Sequence, residues 1–520
     1  MSFKVLLVYP NLRGMNMLPP AIGLLSAVLK RSGFEVELFD TTYYEKLDDD
    51  HAEADSDQMK VDKLMARPFK MPKEITIIKT NVFEDFDKKV QSFSPDLIAL
   101  SATEDMFLLG IKLLRKLGPG RPMTILGGVF ATFAPRLALS YPEIDIVCKG
   151  EGEDALDALC KALSTGKPYE DIPNLWIKQK DGVIKVNPTK MVDMDTNPLI
   201  DMSIFEEARF YRPMAGRVWR MFPVETHRGC PYKCTFCNSP SQMELYKREE
   251  GRSYLRRKTF ENMRHELLFY KYEMKAEYLY FWADTFFSWK HNEFEAFAEM
   301  YEEIGLPFWC QTRIETVTYQ RFKRLRDIGC ARISFGLEHG NEKFRKDVIK
   351  RPYTNDLLLE KLRIVNRVGI PFSVNNIIGF PYETRELAFD TIEVNRYIDA
   401  ADRNAYAFTP FTGTPLRETC NKLGLTKKDD IVHSIFVNGS LLEMPQFPQH
   451  EINAVLKTFN MYVNFPKSRW PEIEKAEADT PEGNRVFSEL KDEFVERFWN
   501  NGNGAGASFE DAALADTMVE

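Results

Sequence analysis

Arg228-Gly229-Cys230-Pro231-Tyr232-Lys233-Cys234-Thr235-Phe236-Cys237 sets three cysteines within eight residues at the spacing C-x3-C-x2-C. Three thiolates on one short loop can converge on a single centre, as an iron–sulfur cluster requires. A four-iron cubane held this way has one iron without a cysteine ligand, and an open metal position marks a catalytic site rather than a structural one. The alternatives are a zinc site, with His227 as a poorly spaced fourth ligand, or buried inert thiols. The other cysteines, Cys148, Cys160, Cys310, Cys330 and Cys420, are scattered. A disulfide framework would spread its cysteines through a small secreted chain, so the clustering points to metal or redox chemistry.

From residue 217 onward, short apolar runs alternate with helical patterns. The expected strands are Val224 to His227, Tyr278 to Trp282, Phe308 to Gln311, Arg332 to Phe335, Phe372 to Ile378 and Ala405 to Thr409. Six βα units over residues 217–430 predict a partial (β/α)6 barrel, with its chemistry at the carboxyl ends of the strands. The cysteine loop follows the first of them.

The first 165 residues also alternate strand and helix signals. Expected strands are Val5 to Tyr9, Glu35 to Phe39, Asp96 to Leu100, Met123 to Leu126 and Ile144 to Val147. They predict a Rossmann-like, doubly wound parallel sheet whose ligand loops lie beyond the strand ends. Residues 41–85 interrupt this pattern as an acidic insertion on the ligand edge. Residues 166–216, rich in proline, read as a connecting segment. Residues 431–500 read as helical, and the Gly/Ala-rich 501–520 as a mobile tail.

The 520 residues suit about two to four domains. A formal charge of −8 gives no global reason to bind nucleic acid. With 44% hydrophobic residues the chain can build several cores. No apolar run approaches the ~18 residues of a membrane span, and the N-terminus reads as a strand rather than a signal peptide. A cytoplasmic protein is expected.

The cysteine loop, with Phe236 before its last cysteine, resembles that of the radical S-adenosylmethionine (SAM) superfamily. The resemblance extends over 217–430. It implies that Cys230, Cys234 and Cys237 hold a [4Fe–4S] cluster whose open iron is chelated by SAM. Reductive cleavage then gives a 5′-deoxyadenosyl radical. Tyr280-Phe281-Trp282-Ala283-Asp284 stands where the family contacts the SAM amino group. Gln311-Thr312-Arg313 closes the third strand. Ser334-Phe335-Gly336-Leu337-Glu338 closes the fourth, where an acidic residue binds SAM. Asn375-Asn376-Ile377-Ile378-Gly379-Phe380-Pro381 resembles the glycine motif along the adenine, and Phe411-Thr412-Gly413-Thr414-Pro415-Leu416 the segment after the sixth strand. The resemblance therefore assigns Phe236, Asp284, Arg313, Glu338, Asn376 and Gly379 to SAM.

The domain ahead of the barrel resembles the cobalamin-binding subgroup. The segments that carry this are Pro19 to Leu25, Leu126-Gly127-Gly128-Val129-Phe130-Ala131-Thr132 and Lys149-Gly150-Glu151-Gly152-Glu153. The implied cobalamin contacts are Ser101, Thr103, Glu104, Gly127, Gly128, Phe130, Thr132, Gly150, Glu151 and Gly152. Loop glycines let backbone approach the ligand, and the hydroxyls can donate hydrogen bonds. A generic nucleotide domain is the alternative. The D-x-H-x-x-G motif of cobalamin mutases is absent from the loop Pro10 to Pro20, and His51 follows the second strand without the glycine. Cobalamin is expected base-off, with no histidine ligand, so that cobalt passes readily between Co(I) and methyl-Co(III).

The resemblance implies a radical enzyme that methylates an unactivated carbon of a small molecule through a 5′-deoxyadenosyl radical and methylcobalamin. Its electron donor would be flavodoxin or ferredoxin. One rival outcome is cyclisation, rearrangement or oxidation without methyl transfer. Another is a cobalamin or SAM sensor without turnover. A methylthiotransferase acting on RNA is disfavoured, because the C-terminal region shows no β-barrel pattern. The basic run Lys247-Arg248 and Arg252 to Lys258 reads as a solvated helix start, and Cys310 as a small buried residue that could face the barrel cavity. The insertion 41–85 and the region 431–500 are expected to shape the substrate cavity.

Overall fold

Val5-Leu6-Leu7-Val8 is buried on both faces, as a central parallel strand must be. It forms β1 (Lys4–Tyr9) in the computed structural model, which describes residues 2–48, 55–70 and 73–500. His51 and the tail 501–520 lie outside the described residues. Parallel to β1 run β2 (Glu35–Asp40), β3 (Leu97–Ser101), β4 (Met123–Gly127) and β5 (Ile146–Cys148), in the order β2-β1-β3-β4-β5. This is a doubly wound sheet, and its ligand crevice lies beyond the carboxyl ends of the strands. Helices Pro20–Arg31 and Glu153–Ser164 cover one face, while Val82–Phe93 and Glu104–Lys116 cover the other.

The segment 166–216 does more than connect. It adds β6 (Leu175–Lys178) and β7 (Ile184–Val186) antiparallel to the edge at β5. The short pair covers a strand edge that would otherwise present unpaired backbone groups. The segment then gives β8 (Tyr211–Met214), which pairs antiparallel with β9 (Arg217–Val224). Strands of three or four residues are too short to read by periodicity, although Asp181-Gly182 between β6 and β7 carries a short hairpin signal.

The second sheet takes β9 as its first parallel strand. It starts and ends earlier than expected, because Met221–Val224 align with Tyr278–Phe281. His227–Arg228 instead form β10, paired with β11 (Arg256–Arg257). Parallel strands β12 (Tyr278–Phe281), β13 (Phe308–Thr312), β14 (Cys330–Glu338), β15 (Phe372–Ile378) and β16 (Asp402–Ala407) complete the order β16-β15-β14-β13-β12-β9-β8. Six parallel strands thus curve as an open partial barrel. C-terminal helices Gln449–Asn464, Trp470–Glu477 and Pro481–Phe494 pack over Ile378, Ala405 and Ala407. Among the described residues no helix is long and apolar enough to cross a membrane.

The two halves are clasped by ion pairs. Arg228 reaches Glu151 at 2.6 Å and Glu153 at 2.7 Å in the first domain, as well as Glu225 at 2.9 Å. Arg256 also binds Glu151, and Lys258 pairs with Glu266. Within the basic run Arg256 is therefore an interdomain fastening, while Lys247, Arg248 and Arg252 are exposed, as a solvated stretch would be. Every group in it that meets Glu151 would otherwise leave a buried carboxylate uncompensated.

Candidate active site

The cysteine loop begins where Gly229 adopts φ +93°, and a Cβ there would sit 2.9 Å from Leu255 N. Only glycine fits this entry. Thr235 anchors the loop by donating its Oγ1–H to Val348 O at 2.6 Å. Cys234 Sγ receives Arg313 Nη1–H at 3.0 Å and Arg351 Nε–H at 3.3 Å. Ser239 N donates to Cys237 Sγ at 3.4 Å. Two guanidinium donors and a helix-start amide are the surroundings a thiolate needs. Burial pushes the Cys230 thiol up to about 12 and raises Cys237 as well, so the metal itself must displace these protons.

The donor set fits a cluster rather than zinc. Three thiols on one short loop, two of them accepting hydrogen bonds from Arg313, Arg351 and the Ser239 amide, are ligands of the kind an iron–sulfur cluster takes. His227 is excluded as a zinc ligand, since its Nδ1 meets Thr226 Oγ1 at 2.9 Å and its Nε2 meets Thr285 O at 3.0 Å.

A cavity of about 810 Å³ opens beside this loop. Phe236, Glu338 and Asn376 line it from the barrel side. Glu338, buried and at φ +68°, pairs with Arg351 at 3.1 Å. Burial raises its carboxyl, and Arg351 and Arg313 only partly oppose that. Gly336 is needed beneath it, because a side chain there would collide with the Glu338 carboxylate. Asp284 is reachable by water yet walled by protein beside the cysteines. Desolvation raises it, with Ser239 opposing.

Three assigned SAM contacts have structural duties. Arg313 braces Cys234 and lies 3.8 Å over the Tyr232 ring. Asn376 exchanges hydrogen bonds with Asn395 at 2.8 and 3.3 Å. Gly379 turns at φ +91°, and its N–H is taken by Glu383. Arg351 was not singled out from the sequence; it lies outside every motif read there. Cys310 is fully buried in the outer core and does not face the cavity.

A second cavity, of about 490 Å³, lies between the first sheet and helices Pro20–Arg31 and Glu153–Ser164, and reaches the barrel at Arg228. Ser101, Gly127, Gly128 and Gly150 to Gly152 line it. A Cβ on Gly127 would meet nothing within 4 Å, so this glycine keeps space open for a ligand. Leu7, Leu24, Ala99 and Ile125 make the wall apolar, as a flat aromatic nucleotide tail requires. The cradle fits cobalamin.

Of the other assigned cobalamin contacts, Thr103, Glu104, Phe130 and Thr132 do not line this cavity, and Glu151 lines it with its carboxylate held by other groups. Thr132 donates to Gly128 O at 3.0 Å and accepts from Gly150 N at 3.1 Å, tying two loops together. Phe130 is core, 4.8 Å from Phe107. Thr103 precedes the helix Glu104–Lys116 as an exposed residue. Glu104 is buried and accepts from Thr412 N at 2.7 Å and Thr412 Oγ1 at 2.9 Å. The Glu151 carboxylate is spent on Arg228, Arg256 and Val192 N.

Two sheets joined at their ligand-bearing ends, a three-cysteine loop and a nucleotide-tail cradle define an enzyme that combines SAM, an iron–sulfur cluster and cobalamin. The B12-binding domain profile matches residues 63–160, and the radical SAM superfamily profile matches 224–394. The chain belongs to the cobalamin-binding radical SAM enzymes. An uncharacterized methyltransferase of Pyrococcus horikoshii is 26% identical over 392 residues, 74% of this chain and 81% of that protein. The radical SAM methyltransferase TsrM of Kitasatospora setae, solved with cobalamin and a [4Fe–4S] cluster, superposes with a TM-score of 0.62 at 16% identity. The match covers 95% of this chain and 100% of that one. The cobalamin-dependent enzyme OxsB gives 0.63 at 16%, over 100% of this chain and 75% of that one. At such identities the structures share the fold.

Proposed function

We propose that this enzyme transfers a methyl group to an unactivated carbon of a small molecule held in the 810 Å³ cavity. The observation that carries the reading is continuity. One cavity is lined by Phe236 of the cysteine loop, by Glu338 of the barrel, and by Met15 and Met17 from the loop after β1 of the cobalamin domain. When bound, the cluster with SAM supplies hydrogen abstraction and the cobalamin supplies a transferable methyl group.

The chain's own residues do the positioning. Cys230, Cys234 and Cys237 hold the cluster, and Arg313 and Arg351 fix Cys234. Arg228 with Glu151 and Glu153 keeps the two cofactor domains in one register. Met65 and Phe69 of the insertion and Phe436 of the C-terminal region add apolar surface to the cavity walls. Electrons come from a flavodoxin or ferredoxin. Protein reconstituted anaerobically with both cofactors and methyl-labelled SAM should give a product one methylene heavier, with release of 5′-deoxyadenosine. A product of unchanged carbon count would assign cyclisation or oxidation instead, and neither product nor 5′-deoxyadenosine would assign a sensor.

A further inference from the structure

Arg212 on β8, opposite Trp219, lines the larger cavity. Its guanidinium lies 5.0 Å from the Tyr280 ring, and its Nη1 is buried without a hydrogen-bond partner. Arg209, on the neighbouring turn, pairs with Asp40 at 3.1 Å, whereas Arg212 has no such carboxylate among the described residues. Arg212 is half-buried, and a desolvated guanidinium nitrogen left without a hydrogen bond is costly and calls for an explanation.

Lys60, on the insertion helix Ser56–Asp62, lines the same cavity. Its ammonium is 3.6 Å from Asp57 and 5.9 Å from the Phe436 ring. Burial lowers it, Asp57 opposes that, and Arg212 adds a smaller repulsion. Two cations therefore face one another with a single carboxylate between them. Arg332 and Arg67 also line this cavity, and Asp402 pairs with Arg332 alone. Glu338 is committed to Arg351 at the cysteine end.

The patch is built on different elements from the cysteine loop. Trp219 precedes Val224, where β9 ends, so Arg212 enters from the amino-terminal half of the barrel wall. Met17, Met214 and Trp309 form an apolar stretch nearby. Charge at one end and an apolar wall beside it suit a molecule with an anionic head and a carbon body.

We propose that the substrate bears an oxyanion, phosphoryl or carboxylate, held between Arg212 and Lys60 in the larger cavity. The planar fork of Arg212 suits two oxygens of such a group, and Lys60 supplies a point charge. This names the substrate class for the methyl-transfer reading and rests on it.

The test is calorimetric titration of cluster- and cobalamin-loaded protein, without added SAM, using inorganic phosphate and succinate as probes. Saturable binding of at least one is expected, weakened about tenfold or more in Arg212→Gln and in Lys60→Gln. Lys180→Gln removes the same charge from an exposed hairpin and should bind as wild type. Preference for phosphate identifies a phosphoryl head, and preference for succinate a carboxylate. No saturable binding, or equal affinity in wild type and Arg212→Gln, overturns the proposal. Should Arg212→Gln fail to fold, equal affinity in Lys60→Gln overturns it in the same way. Release of 5′-deoxyadenosine is measured separately, after SAM and a reductant are added to portions of the same preparations: its absence with anion binding intact sinks the radical reading and leaves the anion site standing.

Discussion

Arg351 donates Nε–H to Cys234 Sγ at 3.3 Å, from a guanidinium that also pairs with Glu338 at 3.1 Å. One cation thus links a cluster ligand to the cavity carboxylate. Arg313 contacts the same sulfur from the other side at 3.0 Å. Two cationic donors on one sulfur hold that side chain in a single orientation.

Cys234→Ala should abolish the cluster without unfolding the chain. The sulfur is held by two long side chains that can relax, and the loop keeps its Thr235 anchor. Reconstituted variant protein is expected to lack the [4Fe–4S] absorption and paramagnetic signals while its circular dichroism stays that of wild type. Signals equal to wild type would show that Cys234 is not a ligand.

Arg351→Met should destabilise the barrel strongly, because Glu338 is then a buried carboxylate without its cation. Breaking one side of such a pair costs about 3–5 kcal/mol. Arg351→Met/Glu338→Leu removes both charges and should recover much of that loss. Urea unfolding of the two variants measures the difference. A double variant no more stable than the single one would place the effect in packing rather than in the lost pair.

The fold was legible where chemistry and periodicity coincide. The cysteine spacing and the alternation of apolar runs with helices identify both sheets, and β15 was placed at its observed bounds. Side-chain direction was less legible, because it depends on partners far along the chain. Glu104 belongs to a motif-bearing loop, yet Thr412, more than 300 residues later, claims its carboxylate. Thr132 has a donor's chemistry and spends it on Gly128. Arg212 sits in a proline-rich stretch that carries no periodic signal at all. Its meaning emerges only once β8 lies against β9.

The junction between the domains should weaken in acid. Glu249 ends the helix Ser239–Glu250 after the cysteine loop and meets Lys149 of the first domain at 2.7 Å. Burial acts to raise its carboxyl, but Lys149 and Thr189 outweigh burial and bring it down to about 2. A depressed folded value means stabilisation that is complete above the unfolded range near ~4.3 and fades as pH falls toward the folded value. The urea midpoint of wild type should therefore exceed that of Glu249→Gln by a constant margin from about pH 7 to 5, narrowing below about 4.5. A margin independent of pH would assign the contact to hydrogen bonding alone.

Gly127→Leu should separate cobalamin binding from folding. The residue lines the smaller cavity, and a Cβ there meets no atom within 4 Å, so a larger side chain grows into the space the ligand needs. Its backbone does not require glycine, in contrast to Gly128 at φ +110°, where a Cβ would lie 2.6 Å from Ala102 O. Gly127→Leu is thus expected to fold and to take up the iron–sulfur cluster, while retaining less than about a tenth of the wild-type cobalamin after gel filtration. Gly128→Ala should instead lower stability by about 1–3 kcal/mol through backbone strain. Retention of cobalamin by Gly127→Leu at the wild-type level would move the ligand out of this cradle, and with it the assignment of Gly127 and Gly150 as its contacts.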